Sequence, residues 1–125
     1  MIEANLSFNM DVPKLKKKFE DASKKAQSEV LKQMVADTED YIPYKTGKLT
    51  SSVNVDESNA TINYTAPYAA FAFNPLYKGK EKVYNRTVHS KAQGNPYQAS
   101  NIENGQKWAL LYAKKLAEEI NNGNN

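Results

Sequence analysis

The chain has no cysteine and one histidine, His89, in 125 residues. No disulfide framework and no thiolate-bound zinc can form, and a lone imidazole cannot supply the missing ligands. No cofactor or metal site is expected, and the lack of cysteine is compatible with assembly in a reducing cytoplasm. No apolar run approaches the ~20 residues that span a bilayer. The opening Met1-Ile2-Glu3-Ala4-Asn5 has neither the basic start nor the apolar core of a secretory signal. Neither membrane association nor export is therefore expected.

Phosphate loops are missing as well. Gly47-Lys48 has Ile42 where a P-loop needs its first glycine, and Leu49 where it needs Ser or Thr. Lys78-Gly79-Lys80 has no upstream glycine partner. The carboxylate pairs Glu39-Asp40, Asp56-Glu57 and Glu118-Glu119 sit where helix ends and turns place wet acids, not where paired acid–base chemistry is forced. Four matches to the glycosylation triplet, at Asn5, Asn59, Asn63 and Asn85, are chance in an Asn-rich chain without an export signal. No catalytic centre is visible, and no enzymatic activity is expected.

Present instead is the composition of one folded domain: 40% hydrophobic and 25% charged residues. The mean hydropathy of −0.74 suggests long wet surfaces. The net charge of +3 is spread thinly, with eight lysines against eight acids in residues 1–45, five basic against three acidic in 46–90, and four against three in 91–125. Dedicated nucleic-acid binding gains little support from that distribution.

Ile2, Ala4, Leu6, Phe8 and Met10 alternate with polar residues, the pattern of a strand with one wet face. Asp11 and Pro13 can open a helix. Leu15, Phe19, Ala22, Ala26, Val30 and Met34 then form an apolar stripe along some 26 residues, ending before Pro43. Ser52 to Glu57, with Val53 and Val55, and Ala60 to Thr65, with Ile62 and Tyr64, read as a hairpin turning at Ser58-Asn59. The run Tyr68 to Phe73 is strand or short helix, its period deciding neither. Residues 74–100 read as a long polar loop or arm, and Val83-Tyr84 and Thr87-Val88 could add a small hairpin within it. From about Asn101, the spacing of Trp108, Tyr112, Leu116 and Ile120 gives a closing amphipathic helix, and residues 121–125 fray. The expected fold class is α+β: an N-terminal strand, a long amphipathic helix, a small antiparallel sheet, an extended loop and a C-terminal helix. It is one domain over residues 1–120.

The connection after the long helix has its own logic. Pro43 stops the helix, Gly47 admits dihedrals closed to other residues, Thr46 can cap a following turn, and Leu49 and Val53 return to the core. This segment, with Pro43, Thr46, Gly47, Leu49 and Ser52, resembles the minor capsid or tail-completion proteins of tailed phages, from siphophages and prophages. So do Tyr64-Thr65-Ala66-Pro67-Tyr68-Ala69 and a closing helix that carries Lys107-Trp108-Ala109 and Ala113-Lys114. The similarity runs over most of residues 13–120. The chain departs from the pattern at Phe71-Ala72-Phe73-Asn74-Pro75 and at Asn95-Pro96-Tyr97.

What the resemblance implies is mechanical. The chain would be a virion component, assembled in the bacterial host, that forms a homo-oligomeric ring (sixfold by expectation) at the neck joining head to tail. Its partners would be the connector or stopper, the tail terminator and the tail tube. Tyr77, Tyr84 and Tyr97 are the candidate subunit contacts, since tyrosine supplies contact area at modest entropic cost. Lys78, Lys80, Lys82 and Arg86 are candidates to face genomic DNA in the channel. Rival expectations are a tail terminator or head-completion stopper at an adjacent ring, and a small basic nucleic-acid-binding module.

Overall fold

The computed structural model describes residues 12–122. The expected strand from Ile2 to Met10 and the cap at Asp11 lie outside that span. Helix α1 occupies Val12–Thr38, 27 residues with Pro13 in its first turn, where a missing N–H breaks no bond. Ala22 and Ala26 are buried on the predicted stripe, and being small they let a second helix approach closely. A 3-10 turn at Glu39–Tyr41 ends the helix. Ile42 is then extended at φ −77° and ψ 131°, as a residue before proline must be.

Helix α4, Pro96–Asn122, lies antiparallel against α1 and supplies the other half of the frame. It starts five residues before the expected Asn101. Pro96 takes an early helical position with its φ already set, and Ala99 N–H closes the first turn on Asn95 O at 3.1 Å. Asn121 and Asn122 are still helical, although fraying was expected from 121. Contacts across the pair run from Ser23–Tyr112 and Lys25–Glu119 at one end to Thr38–Ser100 at the other. Leu15 and Phe19 lie beyond the first of these and stay half exposed.

Between the long helices come α2 (Lys48–Ser51), the hairpin β1 (Val53–Asp56) and β2 (Thr61–Tyr64), and α3 (Ala69–Ala72). The β1–β2 register pairs Val53 with Tyr64 and Asp56 with Thr61, so the connection is residues 57–60. It is four residues long instead of the expected two-residue turn, because the Asp56 carboxylate captures both the backbone N–H and the side-chain amide of Asn59, at 3.2 and 2.8 Å. The run from Tyr68 to Phe73 resolves as helix. Ala69 and Ala72 face inward with Ile42 and Leu49 to form a small core, ringed by Tyr64, Ala66, Phe73 and Tyr97.

Residues 74–95, within the long loop or arm expected over 74–100, hold a two-stranded hairpin, β3 (Leu76–Tyr77) with β4 (Lys80–Glu81). A strap follows it back across the end of α1. The hairpin falls at 76–81, not at Val83-Tyr84 with Thr87-Val88, because Lys78 and Gly79 both take positive φ and make a two-residue turn. The observed class is α+β, as expected. Among the described residues no helix is long and apolar enough to cross a membrane.

Candidate docking face

The family-like segment builds a platform, and each of its residues has a local task. Gly47 sits at φ 82°, the left-handed region that favours glycine, and its carbonyl accepts Ser51 N–H at 3.0 Å. The cap of α2 is therefore Gly47 itself, and no side chain caps that end, so Thr46, which is exposed, does not play the capping part expected of it. Leu49 is fully buried and Pro43 half buried. Ser52 Oγ donates to Leu49 O at 2.7 Å, while Ser52 O accepts both the backbone N–H and the hydroxyl of Thr65. This pair closes the base of the β1–β2 hairpin. Pro67 is exposed and Tyr68 precedes α3 with its ring partly exposed.

The strap is bonded along its length. Tyr84 donates its hydroxyl to Ala72 O at 2.9 Å and Asn74 O at 3.1 Å. Burial pushes that phenol up from its ordinary pKa, so it stays a donor. Arg86 Nε reaches Ala92 O at 3.2 Å. His89 is buried: its Nδ1 lies 2.7 Å from Ile42 O and its ring meets Tyr44 edge-on at 4.9 Å. Asp40 accepts the backbone N–H and hydroxyl of Ser90 at 3.0 and 2.6 Å, and these bonds hold its carboxyl below the usual range. Gly94 is packed so tightly that a Cβ there would stand 2.7 Å from the backbone of Pro75.

On this support rests an exposed aromatic and basic face. Phe71, outward on α3 beside Ala70, is 56% exposed and meets the Tyr77 ring edge-on at 5.7 Å. The Lys82 ammonium lies 3.7 Å above the Phe71 ring and bonds Phe71 O. Lys78 stands 5.3 Å over Tyr77, Lys80 is exposed, and Val83 is almost wholly in water. Glu81 is the acid on this hairpin. Large rigid rings beside lysine ammonium groups suit recognition of another surface.

The structure separates the three candidate tyrosines. Tyr77 belongs to the face. Tyr84 turns inward as described, and the Tyr97 hydroxyl shares a 2.7 Å hydrogen bond with that of Tyr64, burial pushing both phenols up. Of the candidate charges, Lys78, Lys80 and Lys82 gather here and Arg86 serves the strap. Trp108 is buried in the helix pair, its indole N–H on Asp37. Phe71, Val83 and Gly94 were not singled out from sequence. Phe71 becomes legible only once its run is known to be helical, since a helical period splits Ala69 and Ala72 from it.

No curated protein and no solved structure matches the chain. The model of a family described as Minor capsid protein matches residues 6–116. That match takes in the Gly47 turn, the docking face, the strap and the buried Trp108 together. The chain belongs to the minor capsid protein family, and with it to the structural components of phage particles.

Proposed function

We propose that the chain is a head–tail neck subunit, a tail-completion protein that assembles as a ring and meets its neighbours through the Phe71–Tyr77 face. The observation that carries this reading is that face itself. Two exposed rings, Phe71 on α3 and Tyr77 on the β3–β4 hairpin, stand with three lysines on a support locked by Gly94 against Pro75 and by the two Tyr84 bonds. A ring needs a heterologous contact, in which one surface of each subunit meets a different surface of the next. A protruding, preorganised patch at one end of the two-helix frame supplies one half of such a contact. Preorganisation matters because little conformational freedom is then lost on docking.

The test is direct. Tagged protein is located in intact virions by electron microscopy, beside particles made with Phe71→Ser and Tyr77→Ser. Density at the neck, with tail-less heads accumulating in the double variant, is the expected result. Density confined to the capsid shell, or normal tailed particles from a correctly folded double variant, overturns the neck reading.

A further inference from the structure

The two long helices differ on their outward sides. On α1 that side carries Lys17, Asp21, Lys24, Glu29 and Lys32, all exposed, an ordinary solvated face. On α4, Ser100, Trp108, Tyr112 and Glu119 turn toward α1. Opposite them, Ile102, Gln106, Ala109, Leu110, Ala113 and Ala117 fall within an arc of about 100°, at 100° per residue. All six are exposed and none is charged; Ile102 is 87% and Leu110 64% in water. Positions 102, 106, 109 and 113 step by four, three and four, the spacing of a helix–helix seam.

We infer that this outward seam of α4 pairs with the same seam of a second copy, antiparallel, about a two-fold axis between Ala109 and Leu110. The order of large and small residues selects that arrangement. In it Ile102 lies over Ala117 of the other copy, Gln106 over Ala113 and Leu110 over Ala109, so each bulky side chain meets a small one. A parallel pairing sets Ile102 on Ile102 and leaves alanine on alanine at 109, 113 and 117. Charge agrees. Glu103, which also bonds Lys91 of its own chain at 2.8 Å, lies with Lys114 on one flank of the seam. In an antiparallel pair like flanks meet, so each Lys114 comes beside the other copy's Glu103, two such pairs in all. Exposed pairs of this kind set orientation more than strength.

The seam runs from 102 to 117, fifteen rises of 1.5 Å or about 22 Å. On a helix ~10 Å across it covers a few hundred Å² per partner, below the ~800 Å² of a stable complex. The pair is therefore weak and reversible. It goes beyond the neck reading and does not depend on it: a ring's contacts are heterologous, so a two-fold pair belongs to the free subunit and covers the apolar seam before assembly.

A chain without native cysteine makes the test clean. Under mild oxidation Ala109→Cys should link to itself and Ala117→Cys should not, because the two 117 positions stand about 22 Å apart along the axis. Mixing Ala117→Cys with Ile102→Cys should restore linkage. Sedimentation of the full chain should show monomer at ~10 µM and growing dimer toward ~1 mM, the range expected of a small interface. Leu110→Glu, exposed and so harmless to the fold, should abolish the dimer with helicity unchanged. Self-linkage of Ala117→Cys would mean a parallel pair and overturn the inference. So would a monomer at every concentration with all variants unlinked, whether the seam then serves another neck protein or the chain's own residues 1–11.

Discussion

Asp37 on α1 accepts the indole N–H of Trp108 on α4 at 2.8 Å, and the same carboxylate takes Lys107 Nζ at 3.0 Å and Gln33 Nε2 at 2.9 Å. Burial by itself would raise the pKa of this acid. The bonds from Trp108, Lys107 and Gln33 together outweigh it and hold the carboxyl below the ordinary range. A carboxyl depressed on folding contributes stability that is complete above its unfolded pKa of about 3.9 and is lost as pH falls through the lower folded value. The thermal midpoint should therefore drop on acidification below about pH 4. Asp37→Asn should flatten that acid slope without removing it, since Ser90 holds Asp40 down in the same way. Trp108→Phe loses a bond to a charged group and part of a buried ring, costing at least about 1.5–3 kcal/mol by chemical denaturation. Equal acid slopes in wild type and Asp37→Asn would refute this account.

The frame was largely legible in the sequence, and the strap was not. Leu15 to Met34 and Trp108 to Ile120 repeat over many turns, so the helical period declares itself. Residues 82–95 have no period, because their order comes from single bonds to distant partners: His89 to Ile42, Ser90 to Asp40, Gln93 to Tyr41. Such pairings leave no local trace. The same holds for the docking face. Its lysines and Tyr77 could be named from composition, but Phe71 needed a helix only four residues long, and Tyr84 looked as free as Tyr77 until its two carbonyl acceptors were seen. Asn95-Pro96 was the readable signal overlooked, a Pro placed to open α4.

A second polar link ties the helices in full burial. Thr38 donates its hydroxyl to Ser100 Oγ at 2.9 Å, and both residues are 0% exposed. Removing Ser100 strands the Thr38 hydroxyl away from water, whereas Ser100 Oγ keeps the Asn104 side-chain amide at 3.1 Å when Thr38 is removed. Thr38→Val and Ser100→Ala should each cost roughly 1–2 kcal/mol in urea melts. The double variant should cost less than the two together, with a coupling near 1 kcal/mol. Strict additivity would show that the bond does not matter.

Gly94 has a sharper requirement. A methyl group there meets Pro75 Cα and N at 2.7 Å and the Tyr84 hydroxyl at 2.8 Å, and backbone cannot swing aside as a flexible side chain can. Gly94→Ala should destabilise by about 1–3 kcal/mol, the usual range for overpacking. The loss should be local first: limited proteolysis is expected to cut between 82 and 95 well before the helices melt. Unchanged cleavage and an unchanged melt would show that Pro75 yields freely.

The hairpin that carries the docking face holds one residue in an unfavourable conformation, and relieving it separates stability from recognition. Lys78 has φ 52° and Gly79 φ 77°, the pair of positive dihedrals that a two-residue turn demands. Glycine tolerates this; lysine is held there by the Tyr77–Lys80 pairing, at a cost of order 1 kcal/mol. Lys78→Asn should stabilise the chain by several tenths of a kcal/mol, because asparagine adopts left-handed dihedrals more readily. It also removes one ammonium from above the Tyr77 ring. If the face docks through its rings, the variant should be the more stable protein and still enter particles. If it docks chiefly through charge, the variant should melt later than wild type yet be depleted from virions, measured by mass spectrometry of purified particles. A lower melting temperature would show that the hairpin does not form the turn its dihedrals describe.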